Sequence, residues 1–384
     1  MIYLDNSATT LIKPHCVRRA FSKALSDYSA NPGRSGHSLS VRTAEAIYSA
    51  REKICGFFGA DDPAKVAFTM NCTQALNMVI KGVLLPGDHC IVSSMEHNAV
   101  MRPVYALSKI GVEYDEAHVV PGNDFETVSA FESLIKPNTK LIVCTHASNV
   151  WGVRMPIEKI GKMCHSRGIL FAVDAAQSAG VLPIDMHSMN IDFLCIAPHK
   201  GLYSPAGLGI MIANCDIKLS TIIEGGTGTF SSSLEQPADM PERLESGTIN
   251  TPGIIACAAG IDFVASKTLS KIHSYEMELI QRLYVELGNI ERVELYTEYP
   301  TERNNVAVLS FNIKEMPSES AAEYLSEAGF AVRAGLHCAP AAHRFMGTDE
   351  FGAIRASVSI YNNISEIMQF ARKIEELSVK STAI

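Results

Sequence analysis

The chain is predicted to be an α/β protein with a mainly parallel central sheet in a large domain and a smaller α+β C-terminal domain, and three features predict it. Between residues 66 and 213 short apolar runs alternate with segments of helical periodicity, the pattern of βαβ units. The apolar runs are continuous rather than alternating, as in parallel strands buried on both faces. With 384 residues, 47% apolar and 19% charged, the chain has the size and composition of a globular protein of more than one domain.

The strand candidates are Val66-Ala67-Phe68, Cys90-Ile91-Val92, Leu141-Ile142-Val143-Cys144, Ile169–Val173, Phe193–Ala197 and Ile210-Met211-Ile212. Helical spacing of apolar residues fits Val41–Phe58, Thr73–Leu84 and Ile157–Arg167, the last stopped by Gly168. Residues 227–247 are polar, carry two prolines and show no period, so they read as a long loop. One long amphipathic helix is predicted from about Gly253 to Leu287. After it come β-like segments at Val306–Ile313 and Ala331-Val332-Arg333 and a helix near Ser318–Ala328. The expected division is a large domain over residues 16–252 and a small domain over 1–15 and 253–384.

A net charge of −8 with no cluster of Lys or Arg argues against nucleic-acid binding. No basic stretch precedes an apolar core near the start, and no apolar run approaches membrane-spanning length, so no membrane partner is expected and the expected location is cytoplasmic. The ten cysteines form no CxxC pair, and most lie inside apolar runs, which fits reduced thiols and no cysteine-held metal.

Chemistry concentrates at strand ends. Asp174 closes the run Ile169–Val173, and Lys200 follows the next run, Phe193–Ala197. A lysine amine can form a Schiff base with the aldehyde of pyridoxal 5'-phosphate (PLP), and a carboxylate facing the pyridine nitrogen keeps it protonated. Singly, Asp174 reads more readily as a helix cap and Lys200 as a surface lysine. The segment Phe68-Thr69-Met70-Asn71-Cys72-Thr73-Gln74 is a strand, a polar turn and a helix start, and free N–H groups there can cradle a phosphate. Alone, Thr73 reads as a plain helix cap. His97 follows the Cys90–Val92 run, and its imidazole could stack on a cofactor ring. Beyond these stand His146-Ala147-Ser148-Asn149, Arg333-Ala334-Gly335-Leu336-His337-Cys338-Ala339-Pro340 and Arg355.

Together these residues resemble the fold-type I, class V aminotransferase superfamily, and within it the cysteine desulfurases and selenocysteine lyases with a short cysteine loop. The ordered series YLDNSATT, EHN, HASNVWG, VDAAQ, HKGLYSPAGLG, ESGTINT, RAGLHCAP and RASVSIYN carries the resemblance across nearly the whole chain. It implies the PLP-dependent transferase fold, with Lys200 as the Schiff-base lysine, Asp174 on the pyridine nitrogen and His97 stacked on the ring. Gln177 and Asn149 would face the phenolate oxygen, Asn149 reaching the substrate carboxylate as well. Thr73, Cys72 and His199 would form the phosphate cup, joined by Thr248 from a second subunit of a homodimer. Arg355 would clamp the substrate carboxylate, a task suited to a planar bidentate donor, and Arg333 and His337 would complete the substrate side. Cys338 would be the nucleophile, its thiolate favoured by Arg333 and His337. No metal is implied.

Two positions depart from that pattern. Ala197 stands where Ser or Thr commonly meets the phosphate, and Cys72 where Thr or Gly is usual. Losing one charge-assisted hydrogen bond is expected to weaken phosphate binding about tenfold to a hundredfold. The expected reaction is removal of sulfur from L-cysteine, giving L-alanine and a persulfide on Cys338 for a sulfur-acceptor protein. Selenocysteine lyase shares every residue named. A class V aminotransferase or C–S lyase needs no thiol at Cys338, a non-catalytic sulfur carrier would need no working lysine, and the nucleotide-binding glycine motifs of other α/β enzymes are absent.

Overall fold

A computed structural model describes residues 1–33 and 36–380. In chain order its elements are β1 (Ile2–Tyr3), α1 (His15–Asp27), α2 (Ser38–Phe57), β2 (Val66–Thr69), α3 (Cys72–Val83), β3 (His89–Ser93), α4 (Asn98–Ser108), β4 (Glu113–Ala117), α5 (Asp124–Ser133) and β5 (Thr139–Thr145). Next come α6 (Ile157–Ser166), β6 (Leu170–Asp174), β7 (Phe193–Ile196), β8 (Gly209–Ala213), α7 (Thr251–Lys267), α8 (Leu269–Gly288), β9 (Val293–Leu295) and β10 (Val308–Ile313). The chain ends with α9 (Ser318–Glu327), β11 (Phe330–Ala331), α10 (Pro340–Met346), β12 (Ile354–Ser357) and α11 (Ile364–Lys380).

Every apolar run named above is a strand of one seven-stranded sheet, ordered β2-β8-β7-β6-β5-β3-β4. Strand β8 alone runs against the others, pairing antiparallel with β2 and β7. The carboxyl ends of β2, β3, β5, β6 and β7 therefore share one edge, where open α/β sheets bind ligands. The seventh strand, β4, was not expected. Its sequence Glu-Tyr-Asp-Glu-Ala is polar because it lies at the sheet margin, and it pairs only with β3. Two hydrophobic layers cover the sheet: one holds Val79, Val92, Val143 and Phe193, the other Ile91, Ile142, Val173 and Ile210.

The loop 227–247 has neither helix nor strand. Its end is pinned by Glu245, which accepts the Phe68 N–H at 2.6 Å and pairs with both terminal nitrogens of Arg51 at 2.8 and 2.6 Å. Arg51 also lies 4.5 Å over the Phe68 ring. The loop thereby closes the open edge of β2, which would otherwise expose unpaired backbone groups.

The single helix expected from Gly253 to Leu287 is two helices meeting at 79°. Thr268 breaks it with a positive φ of 67° and caps α8 through the Lys271 N–H. Ile254, Cys257, Ile261 and Val264 of α7 pack in the large-sheet core, whereas Met277, Ile280 and Leu283 of α8 pack with β10, β12 and α11. The change from one core to the other falls within α8, where Ile272 still packs with the large sheet. Beside the large sheet stand the sheet β12-β10-β9 and the two-stranded pair β1-β11. Among the described residues no single helix is long and apolar enough to cross a membrane.

Candidate active site

At the carboxyl edge of the sheet lies a cavity of about 120 Å³ lined by Cys72, Thr73, His97, Asn149, Asp174, Gln177, Ala197, His199 and Lys200. Each comes from a strand end or the turn after it. A larger cleft of about 400 Å³, between α2 and the segment 240–249, contains none of them and is lined in part by Thr248. Thr248 is exposed and accepts a bond from Asn31 Nδ2 at 3.3 Å, and it does not line the cavity.

Asp174 is buried at the tip of β6, and one carboxylate oxygen accepts the Ala176 N–H at 2.9 Å. Burial raises its pKa, while the Ala176 bond and the nearby Lys200 charge pull it back. Lys200 is pushed down to about 8, first by burial and further by Arg355 and Arg333, with Asp174 opposing. An amine so tuned is a nucleophile close to neutral pH.

Cys72 corrects part of the expected phosphate cup. Its Sγ lies 3.7 Å from Asp174 Oδ1, so the thiol faces the carboxylate and not a phosphate. Burial and the Asp174 charge hold that thiol well above its usual range, so it is a neutral donor. The helix cap is Asn71, whose Oδ1 takes the Gln74 N–H at 2.9 Å. The Cys72 and Thr73 N–H groups are the donors that the start of α3 leaves over.

His97 caps α4. Its Nδ1 accepts the Ala99 N–H at 3.0 Å, so the neutral ring carries its proton on Nε2. Burial and the Lys200, Arg333, Arg102 and Arg355 charges lower its pKa to about 4, which keeps it neutral. The adjacent Glu96 is fully buried and ties β3 to β5 by accepting the Ser93 hydroxyl and, at 2.7 Å, the Thr145 N–H.

The cysteine loop is fastened to this edge at two points. The Asn98 N–H donates to Cys338 O at 2.7 Å, and Asn149 Nδ2 to His337 O at 2.9 Å. Gly335, His337 and Cys338 take positive φ values of 89°, 49° and 56°, a strained turn that leaves the Cys338 thiol exposed. Arg333 Nη2 lies 3.6 Å from Cys338 Sγ. Arg333 thus faces the thiol, while its backbone pairs with that of Arg355.

His337 differs from expectation. Its ring is buried, donates from Nε2 to Ala353 O at 2.9 Å and stacks on His343 with centroids 5.6 Å apart. Burial drives its pKa to about 2. It is therefore a neutral packing group and cannot assist a thiolate by charge or reach a substrate.

Arg355 is 1% exposed, with Nη2 on Asp5 Oδ1 at 2.6 Å and Nη1 on Asn149 O at 2.9 Å. The N-terminal segment, to which no role was given from sequence, lies under the site. Ser7 O accepts from Gln177 Nε2 at 3.1 Å, Thr9 Oγ1 meets His199 Nδ1 at 3.0 Å, and Lys13 donates to His199 O at 2.8 Å. The motif YLDNSATT was the signal that could have found Ser7 and Thr9; Lys13 lies outside it. His146 has no partner on either ring nitrogen among the described residues and lies behind the cavity, with its N–H on Asp174 O.

Residues 2–370 match the family described as Aminotransferase class-V. The chain belongs to that family. Among class-V relatives, a probable cysteine desulfurase of Methanothermobacter thermautotrophicus is 33% identical over 98% of this chain and 94% of its own. The apo structure of a cysteine desulfurase from Thermococcus onnurineus NA1 superposes with a TM-score of 0.91 at 31% identity, covering 99% of this chain and 95% of that one. The cysteine desulfurase CsdA of Escherichia coli, as its S-sulfonic acid, gives a TM-score of 0.86 at 26% identity, covering 98% and 94%. Class-V enzymes of this kind use PLP. The cavity fits it: a buried carboxylate for a pyridinium nitrogen, an amine of depressed pKa, a neutral imidazole and the free N–H groups of a helix start.

Proposed function

We infer that this protein is a cysteine desulfurase that takes sulfur from L-cysteine, and the observation that carries this is Cys338. An exposed thiol on a strained turn, tied to the His97 and Asn149 segments and set beside the Arg333 guanidinium, serves no packing purpose. PLP bound through Lys200 supplies an electron sink that eases loss of the substrate α-proton. Lys200 Nζ would take that proton, Asp174 would hold the pyridinium nitrogen, and the neutral His97 ring would lie against the cofactor. Thr73, His199 and the helix-start N–H groups hold the phosphate. Arg355 and Asn149 hold the substrate carboxylate. The Cys338 sulfur attacks the substrate sulfur; an S–S bond forms, the Cβ–S bond breaks, and protonation of the carbon fragment yields L-alanine.

The exposed Cys338 persulfide can then be handed to an acceptor protein. Thr248, exposed and not part of the cavity lining, fits a homodimer in which it reaches the partner's phosphate. Ten unpaired cysteines, one of them reactive, fit the reducing cytoplasm. The test is incubation of the PLP-loaded protein with L-cysteine. Equal amounts of L-alanine and released sulfide are expected with a thiol reductant present, and without it a one-sulfur mass gain on the Cys338 peptide. Pyruvate in place of L-alanine, or sulfur on another cysteine, would refute the assignment.

The Lys200 ionisation gives a second prediction. Only the neutral amine attacks the cofactor aldehyde, so PLP capture by the cofactor-free protein should speed up as pH rises and level off above about 8. An unshifted lysine would carry the rise on past pH 10. Stopped-flow absorbance between these limits separates the two.

A further inference from the structure

We propose that Asp5 is a positioning residue for the substrate carboxylate, holding the Arg355 guanidinium in place before any amino acid arrives. This rests on the reading of Arg355 as the carboxylate clamp. A buried cation without a partner is strongly disfavoured, and Arg355, almost fully buried in β12, already has one in Asp5 at 2.6 Å. With Nη1 on Asn149 O as well, both terminal nitrogens are fixed and the guanidinium plane cannot rotate. Nε is left buried and unpartnered among the described residues.

Asp5 is in turn fixed to the same strand. It bridges in parallel to Ser357, two residues beyond Arg355. The Ser357 N–H donates to Leu4 O at 2.7 Å, and the Asn6 N–H to Ser357 O at 3.3 Å. Asp5 O accepts from the Tyr3 hydroxyl and the Ala8 N–H, both at 3.1 Å. The N-terminal segment is thus bolted along the edge of β12, with its carboxylate on the arginine. Other charges facing Arg355 are those of Arg333 and Lys200, both positive, so Asp5 is the group that balances them. An incoming carboxylate then meets a donor array already ordered, and the freezing of the arginine is not charged to substrate binding.

The experiment uses PLP-loaded protein titrated with L-alanine and with ethylamine, which lacks a carboxylate, following cofactor absorbance. Sulfur release plays no part in it. In the wild type L-alanine should bind more tightly than ethylamine. Asp5→Ala should weaken L-alanine about 10- to 100-fold and leave ethylamine unchanged, while Asp5→Asn, which keeps an oxygen acceptor, should recover most of the loss. In an Arg355→Lys background Asp5→Ala should add no further loss. In Asp5→Ala, equal effects on both amines, or none on L-alanine, would overturn the proposal, and Asp5→Ser, whose side chain is too short to reach the guanidinium, is read by the same comparison if the alanine variant does not fold. A wild type that binds both amines equally would instead remove the reading of Arg355 on which the proposal stands.

Discussion

Lys200→Ala is expected to abolish L-alanine formation from L-cysteine and the borohydride-trappable bond to PLP. Two separate contributions vanish at once. The covalent link disappears, and so does the base that takes the α-proton, which alone is worth about 10²–10⁴-fold in rate. Lys13 is the group most able to compensate, since burial lowers its pKa to about 8 as well. It is not free to do so: its Nζ is held by Thr10 Oγ1 at 2.7 Å and His199 O at 2.8 Å, on the far side of the His199 backbone. Lys200→Arg should be equally inactive, because the guanidinium preserves the positive charge near Asp174 but forms no imine and stays protonated. Mass spectrometry after borohydride, with assay of alanine, checks both variants. A labelled Lys13 peptide in Lys200→Ala, with turnover retained, would show that the wrong amine had been chosen.

Much of the fold could be read from the chain because its strands are buried on both faces. Val143, Val173 and Leu194 have no exposed side to encode, so their runs are unbroken. Strand β4 escaped because an edge strand needs no such run: Glu113 and Glu116 face solvent. The break at Thr268 escaped because an apolar periodicity continues across it, and only a backbone angle ends α7. Within the site, residues that bear chemistry were legible as types at strand ends. Their partners were not, since a bond such as Arg355 to Asp5 joins chain positions far apart and leaves no local pattern. His337 misled for the same reason. Next to a cysteine in sequence it looks like a charge source, yet its ring turns inward onto His343, where burial keeps it neutral.

Cys338→Ser should stop sulfur release from L-cysteine, a fall of at least about 10³-fold, the scale on which removal of a nucleophile acts, while PLP absorbance and L-alanine binding stay as in the wild type. The loop geometry justifies a clean separation. Its fastenings run through the Asn98 N–H and the His337 and Cys338 carbonyls, none of which involves the thiol. The turn is further set by backbone packing, because a Cβ on Gly352 would lie 2.6 Å from the Gly335 backbone. Serine therefore fits with the same strained angles and changes one atom. A serine hydroxyl is a far weaker acid than a thiol and a poor nucleophile toward sulfur, so the substitution removes the nucleophile. Exchange of the L-alanine α-proton with deuterated solvent requires Lys200 but not Cys338, so it should persist in Cys338→Ser and vanish in Lys200→Ala. Loss of exchange in both would mean that the cysteine loop shapes the proton-transfer site itself, and sulfide release persisting in the serine variant would place the sulfur chemistry on some other group.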